Sequence, residues 1–277
     1  MNFSNILNEI VKVDPEFFEK TDQRRNVLKN IGRKVALTAL PFAMGSVFQK
    51  AYGKTTDAII DTLNFALTLE HLEAEFYKKA VADSSGLFPT PAALNAFVTI
   101  RDHEIAHVNF LTAGINAASP GAAVPVNPGG YDFTLGGALP TFTDYKTLLT
   151  VAQVFEDTGV RAYKGQAGVF VKNDLLTAAL NIHSVEARHA SHIRQMRAAA
   201  AGGSIAVKPW VTMSGATASG APAAFDASYA GEQITTQANV NIINIGGTSV
   251  SANAASEAFD EPLSKDQILA IVGPFLL

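Results

Sequence analysis

The chain of 277 residues contains no cysteine. That excludes thiolate metal sites, iron–sulfur clusters and disulfides. Any metal it holds must be held by oxygen and nitrogen. Charge is sparse too: charged residues make up 17%, the net charge is −4, and no long run of one sign interrupts the body. A nucleic-acid partner, which needs a basic stripe, is not expected. The apolar run from Val35 to Phe48 is about 14 residues long, too short to cross a bilayer comfortably. No stable membrane span follows from it. No organic-cofactor motif and no obvious proton shuttle stand out. What remains is a composition that is 48% hydrophobic, on a chain long enough to bury a substantial core.

One short pattern occurs twice. Glu104-Ile105-Ala106-His107 and Glu186-Ala187-Arg188-His189 are both Glu-x-x-His. Each is preceded, 34 and 30 residues earlier, by a Glu with a Tyr seven positions on: Glu70 with Tyr77, and Glu156 with Tyr163. A single Glu-x-x-His is usually a solvated pair on a helix. Two copies with the same antecedent are not explained that way.

The helical periodicity places these residues inside. The four inward stripes are Leu63, Leu67, Glu70, Ala74, Tyr77; Ala93, Phe97, Ile100, Glu104, His107, Leu111; Leu149, Ala152, Glu156, Gly159, Tyr163; and Ala179, Ile182, Glu186, His189, Ile193, Met196. Steps of three and four keep each set on one face. Every Glu of the pattern therefore lies in an apolar stripe. An ionised carboxylate buried there costs several kcal/mol unless it is compensated. Four together survive by protonating or by sharing cations, and four carboxylates formally balance two divalent ions. Residues three apart on a helix are neighbours, so one turn offers a carboxylate and an imidazole to one ion. The expected metal ligands are Glu70, Glu104, His107, Glu156, Glu186 and His189. Glu73 competes with Glu70 but lies off the first stripe. Tyr77 and Tyr163 are candidates for supporting the ligands by hydrogen bonds. The other histidines, His71, His103, His183 and His192, are expected at the surface or behind the ligands. An oxygen-rich set with one imidazole per ion suits iron or manganese.

At these residues the chain resembles the ferritin-like superfamily, the bundle shared by ferritins, bacterioferritins, rubrerythrins and manganese catalases. More narrowly it is similar to secreted bacterial ferritin-like proteins related to plant desiccation-related proteins. The likeness covers roughly residues 56–201, with a looser similarity around Asn253–Leu263. Bacterioferritin-type sites commonly place an Asp just before each Glu-x-x-His, where this chain has His103 and Val185. Whatever orients the ligand histidines here must differ.

The expected fold is an all-α core, a ferritin-like four-helix bundle with one long crossover between helices two and three, plus a small β-containing C-terminal extension. The first helix runs from about Thr56 to Ala82. Thr90-Pro91 caps and starts the second, which runs to about Ala118. The stretch from Ser119 to Phe142, rich in Gly and Pro, is the crossover. Thr143 caps the third helix, to about Val171. Asp174 caps the fourth, which Gly202-Gly203 ends. Beyond Ser204 the character changes: Val240 to Val250 looks strand-like, and Ser264 with Gln267 forms a capping box for a short closing helix. Glu257, Asp260 and Glu261 are expected to be solvated acids rather than ligands.

Arg24-Arg25-Asn26-Val27-Leu28-Lys29 resembles the twin-arginine export signal, with Val where Phe is usual. It precedes the apolar run, and Ala51-Tyr52-Gly53 offers small residues at a cleavage point. The alternative is an amphipathic helix retained in the mature chain. The expected organisation is thus 1–53 leader, 54–203 bundle and 204–277 extension, in a protein exported to the periplasm or the extracellular space.

The functional expectation is an oxidoreductase with two iron ions per chain, acting on ferrous ion, dioxygen or hydrogen peroxide. Two manganese ions and peroxide disproportionation fit the same ligands. A non-catalytic envelope or stress scaffold is the reading from another class. A homo-oligomer is left open.

Overall fold

The computed structural model describes residues 57–83, 85–171, 173–202, 207–213 and 220–277. The arginine pair, the apolar run, Gly53 and Thr56 lie outside them. Four long helices dominate: α1 (Asp57–Asp83), α2 (Pro91–Ala118), α3 (Tyr145–Gln166) and α4 (Leu175–Ala200). Short turns join α1 to α2 and α3 to α4, and each pair packs as a hairpin. The loop from Ser119 to Asp144 links the two hairpins, and α1 meets α3 while α2 meets α4. This is the bundle with a single long crossover between its second and third helices. No helix among the described residues is long and apolar enough to cross a membrane.

Local chemistry explains most helix ends. Thr90 accepts from the Ala93 amide at 3.2 Å, with proline at the first helical position. The cap of α3 is Asp144, not Thr143. Asp144 Oδ2 accepts from the Thr147 amide and hydroxyl, both at 2.7 Å, while the Thr143 hydroxyl turns back to the Pro140 carbonyl. A carboxylate does this better than a hydroxyl because the helix N-terminus is electropositive. The third helix also ends earlier than its pattern implies. It tightens after Gln166 into a 3₁₀ turn, Ala167–Phe170. At α4 Asp174 holds the N-cap position but its side chain accepts no capping bond; Asn173 Oδ1 instead accepts from the Leu175 amide at 2.9 Å. Gly202, with φ +76°, follows the end of α4, as a left-handed terminus requires.

The crossover is tied down at both ends. Asn64 on α1 donates to the Ala122 carbonyl and accepts from the Val124 amide, each at 2.9 Å. Further along, Tyr131 pairs with Leu276, and the Asp132 amide donates to Phe275. The chain's last residues thus run against the crossover. Phe76, Phe133, Phe155 and Phe275 meet edge to face there, with ring centres 4.9–6.0 Å apart.

Helix α3 is buried on every side from Leu148 to Tyr163. The other three helices keep a wet face. The difference is the C-terminal extension, which covers the outer face of α3. It consists of the 3₁₀ segment Ala223–Tyr229, a two-stranded hairpin β1 (Thr236–Gln237) and β2 (Val240–Asn241), and helices α5 (Ala252–Ser256) and α6 (Lys265–Val272). The capping box of Ser264 and Gln267 is present. The strand does not continue to Val250. Asn244, Gly246 and Gly247 all take positive φ, which breaks an extended run.

Because it is covered, α3 carries buried charge on its outer face. Arg161 pairs with Glu232 at 2.8 Å and donates to the carbonyls of Ser228, Ala230 and Glu261. Asp157 accepts a fork from Arg194 at 3.0 and 2.5 Å, and a bond from the Tyr229 hydroxyl at 2.7 Å. A Cβ on Gly165 would overlap the Leu263 carbonyl, so only glycine lets the extension approach there. Glu257, Asp260 and Glu261 are not solvated acids but half-buried parts of this cover. Glu257 binds Lys208 and Trp210, and Glu261 binds Gln237.

Candidate metal centre

The inward faces of the four helices meet at mid-bundle. Glu70 comes from α1, Glu104 and His107 from α2, Glu156 from α3, Glu186 and His189 from α4. The four glutamates have no measurable exposure, and the His107 and His189 side chains are 11% and 6% exposed. The structure brings all six together. Glu70, Glu104, His107 and Glu186 offer ligand atoms within 4.8 Å of one another, and so do Glu104, Glu156, Glu186 and His189. The two groups share Glu104 and Glu186. Each therefore has three carboxylates and one imidazole.

Both imidazoles turn Nδ1 inward. That of His107 lies 3.1 Å from Glu70, 3.2 Å from Glu104 and 3.2 Å from Glu186. That of His189 lies 2.8 Å from Glu104 and 3.3 Å from Glu156. Proximity is not satisfaction, however. Glu104 Oε1, Glu156 Oε2, both Glu186 oxygens and His189 Nδ1 are buried without a hydrogen-bond partner. Buried polar atoms are rarely left so. They belong to the two overlapping donor groups, and a pair of divalent cations would satisfy them.

Electrostatics describes the same crowding. Burial, offset in part by the His107 hydrogen bond, pushes Glu70 up to about 7. Burial and neighbouring carboxylates hold Glu186 well above the ordinary range. Burial pushes Glu104 upward too, but the His107 and His189 imidazoles facing it win, and it falls to about 2. Burial opposes charge on His189, yet Glu156 and Glu104 raise it to about 11. His107 is raised for the same reason. Protons thus hold together a cluster whose donors are those of a hard cation site.

The two tyrosines cross the bundle. Tyr77 on α1 donates to Glu156 on α3 at 2.5 Å, and Tyr163 on α3 donates to Glu70 on α1. Each fixes a glutamate that belongs to the other hairpin.

Two participants escape the periodicity. Glu73 is 3% exposed, and its Oε2 has no partner. A Cβ on Gly159 would come within 3.1 Å of Glu73 and 3.3 Å of Glu186, so both carboxylates lean on that glycine. Glu73 is therefore a fifth buried carboxylate, not an alternative to Glu70. Burial and the nearby carboxylates, Glu186 first, hold its pKa well above normal. The available signal was its place three residues after Glu70, the spacing of helical neighbours. The second is His103, whose Nδ1 lies 2.9 Å from His189 Nε2. His71 instead reaches the Val124 carbonyl of the crossover at 3.3 Å, and His192 is exposed.

Compared with known families, residues 58–199 match the ferritin-like domain. No curated protein matches the chain.

Proposed function

The chain belongs to the ferritin-like domain family, and from that premise we propose that it binds two iron ions and oxidises with dioxygen or peroxide. The observation that carries this reading is the pair of overlapping donor groups that share Glu104 and Glu186. When bound, an iron pair would supply two electrons, one from each ferrous ion, to a two-electron oxidant such as dioxygen or peroxide. The protein's part is to hold and neutralise. Four carboxylates offset two divalent charges, and a surplus acid, Glu73, stands beside Glu186 against any further positive charge. Tyr77 and Tyr163 keep Glu156 and Glu70 from swinging. The aromatic packing around Phe76 and Phe97 excludes bulk water on one side. With no organic-cofactor motif in the chain, the substrates are small and inorganic: ferrous ion, dioxygen or hydrogen peroxide.

We further propose that the protein is a secreted member of the desiccation-related type. The leader-like segment before Gly53 supports export by the twin-arginine route, which moves folded, metal-loaded proteins. Replacing Arg24 and Arg25 together by Lys should then hold the precursor in the cell.

The deciding experiment is metal analysis of protein from its native host, followed by anaerobic loading and exposure to oxygen. Two irons per chain and oxidation of ferrous ion above the uncatalysed rate are expected. Rapid oxygen evolution from peroxide by a manganese-loaded protein would favour the manganese alternative. A fully loaded protein with neither activity would leave the scaffold reading.

A further inference from the structure

His189 has a partner on its far side that His107 does not share by sequence. His103 Nδ1 lies 2.9 Å from His189 Nε2, and the two rings stack with centres 5.2 Å apart and planes 13° apart. The other nitrogen of His189 faces Glu104 and Glu156. An imidazole that offers Nδ1 as a lone-pair donor carries its proton on Nε2. His103 Nδ1 is placed to accept that proton. His103 then carries its own proton on Nε2, and its side chain is exposed to solvent. The corresponding place in the second motif, just before Glu186, is Val185, which has no acceptor.

We infer that His103 is a positioning residue: it fixes the tautomer and ring orientation of His189 and so makes the two metal positions unequal. This rests on the metal-binding reading above. A partner behind a ligand histidine commonly changes metal affinity 10- to 100-fold. The effect should fall on the position served by Glu156 and His189 and spare the one served by Glu70 and His107. Helix α2 is well placed to do this, since it delivers Glu104 inward and, one residue earlier, His103 toward α4.

The test uses the full chain and cobalt(II), titrated without oxygen and followed by calorimetry and visible absorption. In His103→Ala, one of two ions should bind 10- to 100-fold more weakly, with the other unchanged and the metal-free thermal midpoint preserved. His103→Asp should restore the weakened ion, because a carboxylate accepts the same Nε2 proton. Equal weakening at both positions, or at neither, overturns the inference. A second measurement needs no metal. Nitrogen NMR of the metal-free chain should show His103 with its proton on Nε2 and a bare Nδ1. A proton on His103 Nδ1 overturns the pairing. If the wild-type chain takes up no cobalt, the metal-binding reading fails, and the nitrogen shifts still decide the histidine pair.

Discussion

The Tyr77 hydroxyl lies 2.5 Å from Glu156 Oε1, joining the first helix to the third across the centre of the bundle. The mirror relation, Tyr163 to Glu70, joins them again. The motif that looked local, a Glu with a Tyr seven residues on, is an exchange between hairpins.

That exchange predicts the outcome of Tyr77→Phe. The change deletes one hydroxyl and keeps the ring in its place beside Phe76 and Phe97. Glu156 loses a donor inside the core. Leaving a buried acceptor unsatisfied costs about 1–3 kcal/mol, so the metal-free midpoint in urea should fall. Affinity for one metal ion should fall about 10- to 100-fold. A variant that loses neither would show that the hydroxyl only fills space.

The shared glutamates predict a pattern of metal loss. Glu104 and Glu186 belong to both donor groups, whereas Glu70 and Glu156 belong to one each. Elemental analysis should find that Glu104→Ala and Glu186→Ala lose both ions. Glu70→Ala and Glu156→Ala should keep about one. Equal losses across all four variants would contradict two distinct positions.

The bundle was readable because a core imposes a period and a site breaks it. Glu104 and Glu186 are acids where Leu or Ile would serve the core, and nothing local requires them. Helix ends were readable to within a few residues, since several chemistries can cap one terminus: Thr143 and Asp144 both qualify, and only the fold shows which amide is in reach. The burial of α3 was not readable. Its stripe from Leu149 to Tyr163 predicts one inner face, but Asp157 and Arg161, which look like a wet face, are neutralised by Arg194 and Glu232 on distant segments. Such long-range pairing leaves no period in the sequence. His103 was expected at the surface or behind the ligands, but which ligand it backs was not readable, because His189 stands 86 positions away.

The proton cluster predicts how the metal-free protein responds to pH. Glu70 is raised from 4.5 to about 7, so from pH 4.5 to 7 the folded chain holds a proton that the unfolded chain has lost. Stability contributed by this group is therefore full below pH 4.5 and falls as pH rises, by roughly 3 kcal/mol at the limit. The raised His189 acts in the same direction from pH 6.5 to about 11. Glu104, lowered from 4.5 to about 2, acts oppositely, and its contribution is lost as pH falls through that interval. The metal-free protein should thus be most stable near pH 4.5–5 and weaken toward neutrality. Metal uptake should release protons and reverse the trend. Thermal melts with and without metal between pH 4 and 8 check this; a metal-free midpoint that rises steadily from pH 5 to 8 would contradict it.

The last prediction concerns the cover over α3. Arg161 sits at the centre of its contact with the extension, 2.8 Å from Glu232 and bonded to three carbonyls. Burial raises Glu232 to about 7 even with that guanidinium beside it. Removing Arg161 leaves a buried acid without its cation and three carbonyls without their donor. Breaking a buried pair from one side costs about 3–5 kcal/mol, so Arg161→Leu should lower the denaturant midpoint sharply. Adding Glu232→Gln should recover part of the loss, because the stranded charge goes with it. The metal ligands lie on the opposite face of α3, so the folded variant should keep its full metal content. Protease sensitivity should appear first in residues 220–264, which the arginine fastens to the bundle. If Arg161→Leu leaves the midpoint within about 0.5 kcal/mol of the wild type, the size of a neutral surface change, the extension is held by its apolar contacts around Leu263 and Ile268 instead.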